Sequence, residues 1–150
     1  MVKTVSLKPY KKQYLNVLVV TATGAAATLL LGLNGLFLQW DAAASELVKQ
    51  VFLFGMIGLA LLFTFYMHKQ KEKLYAIAGF DEKMAFYEKF YAKRMWWYVL
   101  SCAVSCFLYL LTAKAFFLYF AFAELVMLLI VFPNQAFFKK ELNDDGIIFT

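Results

Sequence analysis

The sequence predicts an all-α polytopic membrane protein with four transmembrane helices and a helical hairpin that projects into the cytoplasm. Hydrophobic residues make up 63% of the 150 positions, against roughly 45–50% in soluble domains, and they are gathered in long runs. Lysines flank these runs instead of forming one basic patch. The runs lack the alternation of barrel strands. Because lipid leaves only helices and closed barrels as spanning structures, we predict helices, in a single domain over residues 1–150.

Four apolar runs are the predicted spans, at residues 15–38, 48–67, 95–111 and 115–132. Crossing the hydrocarbon core takes roughly 20 apolar residues. The first two runs meet this length, whereas the third and fourth are short and share a tight turn near Ala113. The first run is longer than the roughly 7–15 apolar residues of a signal peptide, so we expect it to be retained as a span.

The basic residues predict the orientation of these spans. Four precede the first span, seven lie in segment 68–94 and two lie in the C-terminal tail, whereas the other two loops hold one each. Cytoplasmic loops carry the excess of Lys and Arg. We therefore expect a bacterial inner (cytoplasmic) membrane protein with its N- and C-termini and its central segment in the cytoplasm.

The central segment, residues 68–94, is predicted to be an antiparallel helical hairpin. The helix of span two continues to Ala78, Gly79 stops it, and Asp81 caps the next helix. That helix runs from Glu82 to Leu111, because no Gly or Pro interrupts it. Its length of about 45 Å exceeds the roughly 30 Å hydrocarbon core. The hairpin is therefore expected to extend beyond the bilayer.

One arm of the hairpin carries apolar residues at helical spacing, and two interpretations of this stripe remain open. It is a docking face for a partner or for lipid headgroups, or it packs on Leu74 and Ile77 of the other arm. The stripe consists of Met84, Phe86, Tyr87, Phe90 and Tyr91.

Small residues recur in the first two spans and predict close helix packing. Gly24, Thr28 and Gly32 share one face of span one, and Gly55 and Gly58 lie in span two. Small residues let helix backbones approach each other, which drives association in lipid. The sequence leaves open whether span one packs on span two or whether these faces contact another chain.

Glu124 lies near the middle of span four, where a charged carboxylate is costly. No cation of the chain lies at a similar depth. Three explanations follow: a neutral carboxyl group hydrogen-bonded to Ser105 or to a backbone carbonyl, a contact with a basic residue of a partner subunit, or a site for a transported ion.

The sequence carries no catalytic, cofactor-binding or metal-binding pattern that we recognise. Cys102 and Cys106 lie on successive turns of one helix, where disulfide geometry is poor, so we interpret them as small core residues. His68 has no second ligand at metal-binding spacing. Phosphate-binding, dinucleotide-binding, zinc-protease and serine-hydrolase motifs are also missing from the sequence.

Two functions follow from these observations. The first is a small non-catalytic inner-membrane subunit, an accessory or assembly component of a larger complex. Its partners would be the lipid bilayer and other integral membrane subunits or a second copy, not nucleic acid. The alternative is a small oligomeric proton- or cation-coupled transporter or channel that uses Glu124.

Overall fold

The computed structural model describes residues 3–38, 40–144 and 147–149. The described part of the chain is predominantly helical and contains five helices and two short strands. The helices are α1 (Lys8–Leu33), α2 (Ala42–Ala76), α3 (Phe80–Thr112), α4 (Ala115–Ile130) and α5 (Gln135–Leu142). The strands are β1 (Lys3–Val5) and β2 (Ile147–Phe149).

Helices α1, α2 and α3 are each long and apolar enough to cross a membrane. Helix α4 has only 16 residues, and a break at residues 131–134 precedes α5, which turns away by 87°. Pro133 lies in this break and disfavours a helical conformation in the residue before it. Counting α4 and α5 as one bent span raises the number of candidate spans from three to four. The predicted all-helical class is confirmed, and three to four helices are long and apolar enough to cross a membrane.

The first predicted span is shifted along the chain relative to the helix that forms. Helix α1 begins at Lys8, with Pro9 in its first turn, where the missing N–H of proline costs no hydrogen bond. It ends at Leu33, before the predicted end at Leu38, because Gly35 adopts a left-handed conformation with φ of 70°. The chain after it leaves the helix, and Leu38 N donates to Leu110 O at 2.9 Å.

The predicted unbroken helix from Glu82 to Leu111 is confirmed, since α3 runs continuously from Phe80 to Thr112. Its start differs in detail: Gly79 takes the N-cap position and Asp81 lies in the first turn. Ala113 ends α3 in a left-handed conformation with φ of 54°, and its N–H donates to Tyr109 O at 2.8 Å. This turn lets α4 return antiparallel to α3.

The long helices form an antiparallel bundle in which α3 packs on both α1 and α4. Of the two alternatives left open for span one, packing on span two is not the main arrangement in the described chain, since α1 packs chiefly on α3 and α4. Helix α2 lies at the periphery, and its buried residues are Ser45, Phe52 and Leu74. We call the two ends of the bundle the Arg94 end, where α5 lies, and the Ala113 end.

At the Arg94 end, β1 and β2 pair in parallel, with Lys3 opposite Ile147 and Val5 opposite Phe149. The sequence analysis did not predict these strands, because three residues are too few to show an alternating pattern. Val5 and Ile147 are buried in the apolar core of this end. The sheet therefore joins the two ends of the described chain.

Candidate functional site at Glu124

Glu124 is half-buried in α4 and accepts a hydrogen bond from the side chain of Ser101 in α3. The distance from Ser101 Oγ to Glu124 Oε1 is 2.8 Å. Ser105, the partner named from the sequence, donates instead to the backbone oxygen of Ser101 at 2.9 Å. The antiparallel turn at Ala113 explains this correction, because residues at similar distances from the turn come together. Ser101 and Glu124 lie 12 and 11 residues from Ala113, whereas Ser105 lies only eight residues from it.

Glu124 also lines a cavity of about 190 Å³ between α2 and the α3–α4 pair. The α2 side of the cavity is formed by residues at helical spacing, so that they share one face. The other walls are aromatic and come from α3 and α4. The lining residues are Leu53, Met56, Ile57, Ala60, Trp97, Phe120 and Glu124.

Cys102 and Cys106 lie elsewhere in the bundle, beside a second cavity of about 350 Å³ between α1 and α3. Their sulfur atoms are 3.9 Å apart, and both side chains are buried as free thiols. Cys102 packs with Ala25 and Ala121 in a small apolar cluster. The interpretation of the cysteines as small core residues agrees with this placement.

The glycines and Thr28 named from the sequence fall into two groups. Thr28 is buried, and a Cβ built on Gly32 would lie 2.5–2.9 Å from the ring and hydroxyl of Tyr109, so both positions pack inside the bundle. A Cβ on Gly24, Gly55 or Gly58 would meet nothing within 4 Å. The second group therefore has no close neighbour inside the described chain.

A charged cluster that the sequence analysis missed lies at the Arg94 end, around the buried carboxylate of Glu141 in α5. Glu141 Oε1 is 2.8 Å from Arg94 Nη1 and 3.1 Å from Lys71 Nζ. The hydroxyl of Tyr87 donates to Glu141 Oε2 at 2.9 Å. One carboxylate thus joins α5 to α2 and α3. The signal in the sequence was that Arg94 is the only arginine, placed at the edge of an apolar run.

The electrostatics of this cluster favour the ionised carboxylate. Burial by itself acts to raise the pKa of Glu141, but the charges of Arg94 and Lys71 and the hydrogen bonds from Arg94 and Tyr87 outweigh it and hold this pKa below its usual range. Burial, and then the charge of Glu141, raises the pKa of Tyr87. The phenol therefore remains a hydrogen-bond donor.

Aromatic rings surround the guanidinium of Arg94, whose side chain is 8% exposed. The centres of the Phe137, Tyr91 and Phe90 rings lie 5.0, 5.3 and 5.7 Å from Arg94 Cζ. Within the part of the chain that the structure describes, Arg94 Nε and Nη2 have no hydrogen-bond acceptor. Cation–π attraction to the rings takes that place, and planar arginine suits such a site better than lysine.

The apolar stripe of the hairpin is mostly internal. Tyr87, Phe90 and Tyr91 are buried, and Met84 and Phe86 are partly buried against the same core. Their partners include Leu74, as one interpretation expected, and also aromatic rings of α1 and α5. The ring centres of Tyr10 and Tyr91 lie 5.3 Å apart, and those of Phe138 and Tyr87 lie 5.2 Å apart. The three buried rings therefore do not form an exposed docking face.

His68 is exposed, and its Nε2 atom lies 3.4 Å from Glu72 Oε1. Among the residues that the structure describes, no group of three His, Cys, Asp or Glu side chains could hold a metal ion. Glu124, with its cavity, remains the candidate functional site. No family model, curated protein or solved structure matches this chain.

Proposed function

We propose that the protein is a small non-catalytic subunit, an accessory or assembly component of a larger complex in a bacterial inner membrane. The observation that supports this role is the open space at Gly24, Gly55 and Gly58, where an added Cβ would meet nothing within 4 Å. Glycine inside a helix is less stable than alanine by roughly 0.5–1 kcal/mol. These glycines gain no packing within the described chain, so close approach of a helix from another subunit accounts for them best.

The proposed topology has four spans: α1, α2, the apolar part of α3, and α4 with the residues up to 132. The Arg94 end, with both termini, faces the cytoplasm, and the first turns of α3 extend beyond the bilayer together with the end of α2. The distribution of Lys and Arg supports this orientation.

Cysteine labelling tests the topology. In a background with Cys102→Ala and Cys106→Ala, single cysteines at Ala43 and Glu82 place a thiol at exposed positions near opposite ends of the bundle. We expect a membrane-impermeant maleimide added to intact cells to label position 43 and not position 82. Labelling of both positions from the same side would contradict the topology.

Copurification under native conditions, followed by mass spectrometry, tests the subunit role. We expect stoichiometric foreign chains with the wild type. The double variant Gly55→Leu, Gly58→Leu fills the open face of α2 and should lose those chains. Val126→Leu, at an exposed position of α4, is the matched control and should keep them. Recovery of the wild type alone, or only as a homo-oligomer, would rule out the subunit role.

The alternative function is a small proton- or cation-coupled transporter or channel. The observation that favours it is the position of Glu124 on the wall of a cavity beside α2. Liposomes with reconstituted protein test it: proton-linked flux in the wild type that is lost in Glu124→Gln, with folding retained, would support transport. Absence of flux in the wild type would exclude it.

A further inference from the structure

Two aromatic contacts join α2 to the α3–α4 pair on either side of the cavity beside Glu124. Phe52 contacts Phe120 edge-to-face with ring centres 5.2 Å apart. Further along α2, Phe63 stacks on Trp97 at 4.5 Å, with 10° between the ring planes. The α2 residues that line the cavity, from Leu53 to Ala60, lie between these two contacts in the sequence. The space is therefore bounded along α2 by two fixed pairs of rings.

The cavity combines apolar walls with one acidic group. Besides the carboxyl of Glu124, its lining residues contribute as polar side-chain atoms only the indole N–H of Trp97. The hydroxyl of Ser101 donates a hydrogen bond to Glu124 Oε1. Among the side chains that the structure describes, none donates a hydrogen bond to Oε2. A carboxylate accepts several hydrogen bonds, so its second oxygen is available to a ligand.

The described part of the chain supplies no positive charge to this carboxyl group. The Arg94 guanidinium pairs with Glu141 at one end of the bundle, and Lys114 Nζ lies 3.5 Å from Glu46 at the other. A cationic group that meets Glu124 must therefore come from outside. The faces of Trp97 and Phe120 favour such a group, because aromatic faces attract ammonium ions.

The size and access of the cavity limit the ligand. A cavity of roughly 150 Å³ with apolar walls holds one benzene molecule, so about 190 Å³ accommodates one ring with a short amine arm. Leu53 and Ile57 on its rim are 41% and 52% exposed, so the cavity is open at the side of the bundle. An anionic ligand would be repelled by the carboxylate of Glu124. A hard metal ion needs roughly six oxygen ligands, which the walls of the cavity do not provide.

We propose that the cavity between α2 and the α3–α4 pair binds a lipophilic primary amine, with its ammonium group on Glu124 Oε2 and its apolar body between Trp97, Phe120 and the α2 face. An amine that enters neutral takes the proton of the Glu124 carboxyl group. An amine that enters as ammonium displaces that proton to water. Both routes end in the same carboxylate–ammonium pair, which keeps the hydrogen bond from Ser101.

This site goes beyond the subunit role and does not depend on it, because a subunit that transports nothing can still bind an amine. If flux is found, the same site gives the ligand class of the alternative transport function. Binding to the purified chain is measured without partners and without flux, so a failure of this inference is distinct from a failure of either proposed function.

Equilibrium dialysis of the full-length protein in detergent tests the site with 2-phenylethylamine as the probe. We expect saturable binding of one molecule per chain. Glu124→Gln should weaken it by about tenfold or more, because it removes a charge-assisted hydrogen bond. Glu46→Gln, which removes a half-buried carboxylate at the Ala113 end, is the matched control and should leave the affinity unchanged. The uncharged analogue 2-phenylethanol should bind the wild type at least about tenfold more weakly than the amine.

A second variant keeps the inference testable if Glu124→Gln does not fold. Ala60→Phe fills the cavity without changing any charge, and circular dichroism with gel filtration verifies its fold. We expect it to abolish binding of both probes. Absence of saturable amine binding in the wild type, equal binding of amine and alcohol, or undiminished binding in folded Ala60→Phe or Glu124→Gln would each overturn the proposal.

Discussion

The hydroxyl group of Ser101 in α3 donates a hydrogen bond to Glu124 in α4. The two residues lie at nearly equal distances along the chain from Ala113, the left-handed residue that joins these helices. The Oγ–Oε1 distance is 2.8 Å. The register of the α3–α4 pair thus follows from its turn. Ser101 is thus the hydrogen-bond partner of Glu124 within the described chain, and it leaves Oε2 of the carboxyl group free for the ligand proposed above.

Ser101→Ala is expected to destabilise the α3–α4 pair. It leaves a half-buried carboxyl group without its donor, which costs roughly 1–3 kcal/mol. Unfolding in mixed detergent, followed by circular dichroism, measures the change. Ser105→Ala is the control, because its hydroxyl binds only a backbone oxygen of its own helix and its loss should cost less. Equal effects of the two variants would contradict the assigned partner.

Replacing Arg94 by Leu is expected to destabilise the protein by roughly 3–5 kcal/mol, because Glu141 keeps a buried charge that Lys71 alone compensates. The double variant Arg94→Leu, Glu141→Leu should lose less than Arg94→Leu alone, since it removes both charges. Arg94→Lys should recover only part of the loss, because lysine lacks the planar group that stacks on the rings. Additive effects in the double variant would show that the pair is not coupled.

The stability of the Arg94 end is expected to fall in acid. The pKa of Glu141 is lower in the folded chain than its ordinary value. The stabilisation that ionised Glu141 provides is therefore fully present above the pKa of an unfolded glutamate, about 4.3. It is lost as the pH falls through the lower pKa that Glu141 has in the folded chain. Detergent unfolding measured between pH 7 and pH 3 should show this loss.

Glu141→Gln serves as the reference for the acid effect. It cannot ionise, so the stability of this variant should depend less on pH over the same range. Glu88→Gln, which removes an exposed carboxylate of α3, should keep the pH dependence of the wild type. Identical pH profiles for the wild type and Glu141→Gln would assign the acid effect to other groups.

Two glycines of α1 are expected to respond in opposite ways to the same substitution. Gly24→Ala should stabilise the helix by roughly 0.5–1 kcal/mol, since the new methyl group meets nothing within 4 Å. Gly32→Ala should destabilise the bundle by roughly 1–3 kcal/mol, because the methyl group meets the buried Tyr109 ring at 2.6 Å. Adding Tyr109→Ala should relieve much of the second cost. The same sign for both glycine variants would contradict the packing at Gly32.

The sequence predicted the helical class and the unbroken α3, because long apolar runs and the absence of Gly and Pro act locally. It did not predict that α1 would pack on α3 and α4, since small-residue spacing marks a face and does not identify its partner. Ser105 was named beside a backbone carbonyl as a candidate partner of Glu124, because depth was counted from approximate span ends. Counting from the turn at Ala113 leads to within one residue of Ser101.

The cluster around Glu141 was beyond the sequence analysis for a different reason. Lys71, Arg94 and Glu141 are far apart in the chain, and each alone has the pattern of a solvated charge near a membrane surface. They meet because α5 folds back by 87° after the break at Pro133. Nothing in the local pattern of residues 135–142 predicts the direction of that turn.

The parallel pairing of Val5 with Phe149 sets the order in which the protein matures. β1 leaves the ribosome before any of the helices, but its partner strand and the carboxylate of Glu141 follow only after α4. Throughout synthesis of the bundle, the guanidinium of Arg94 therefore lacks both the carboxylate of Glu141 and the ring of Phe137. The Arg94 end is therefore completed only after residue 149 has been translated.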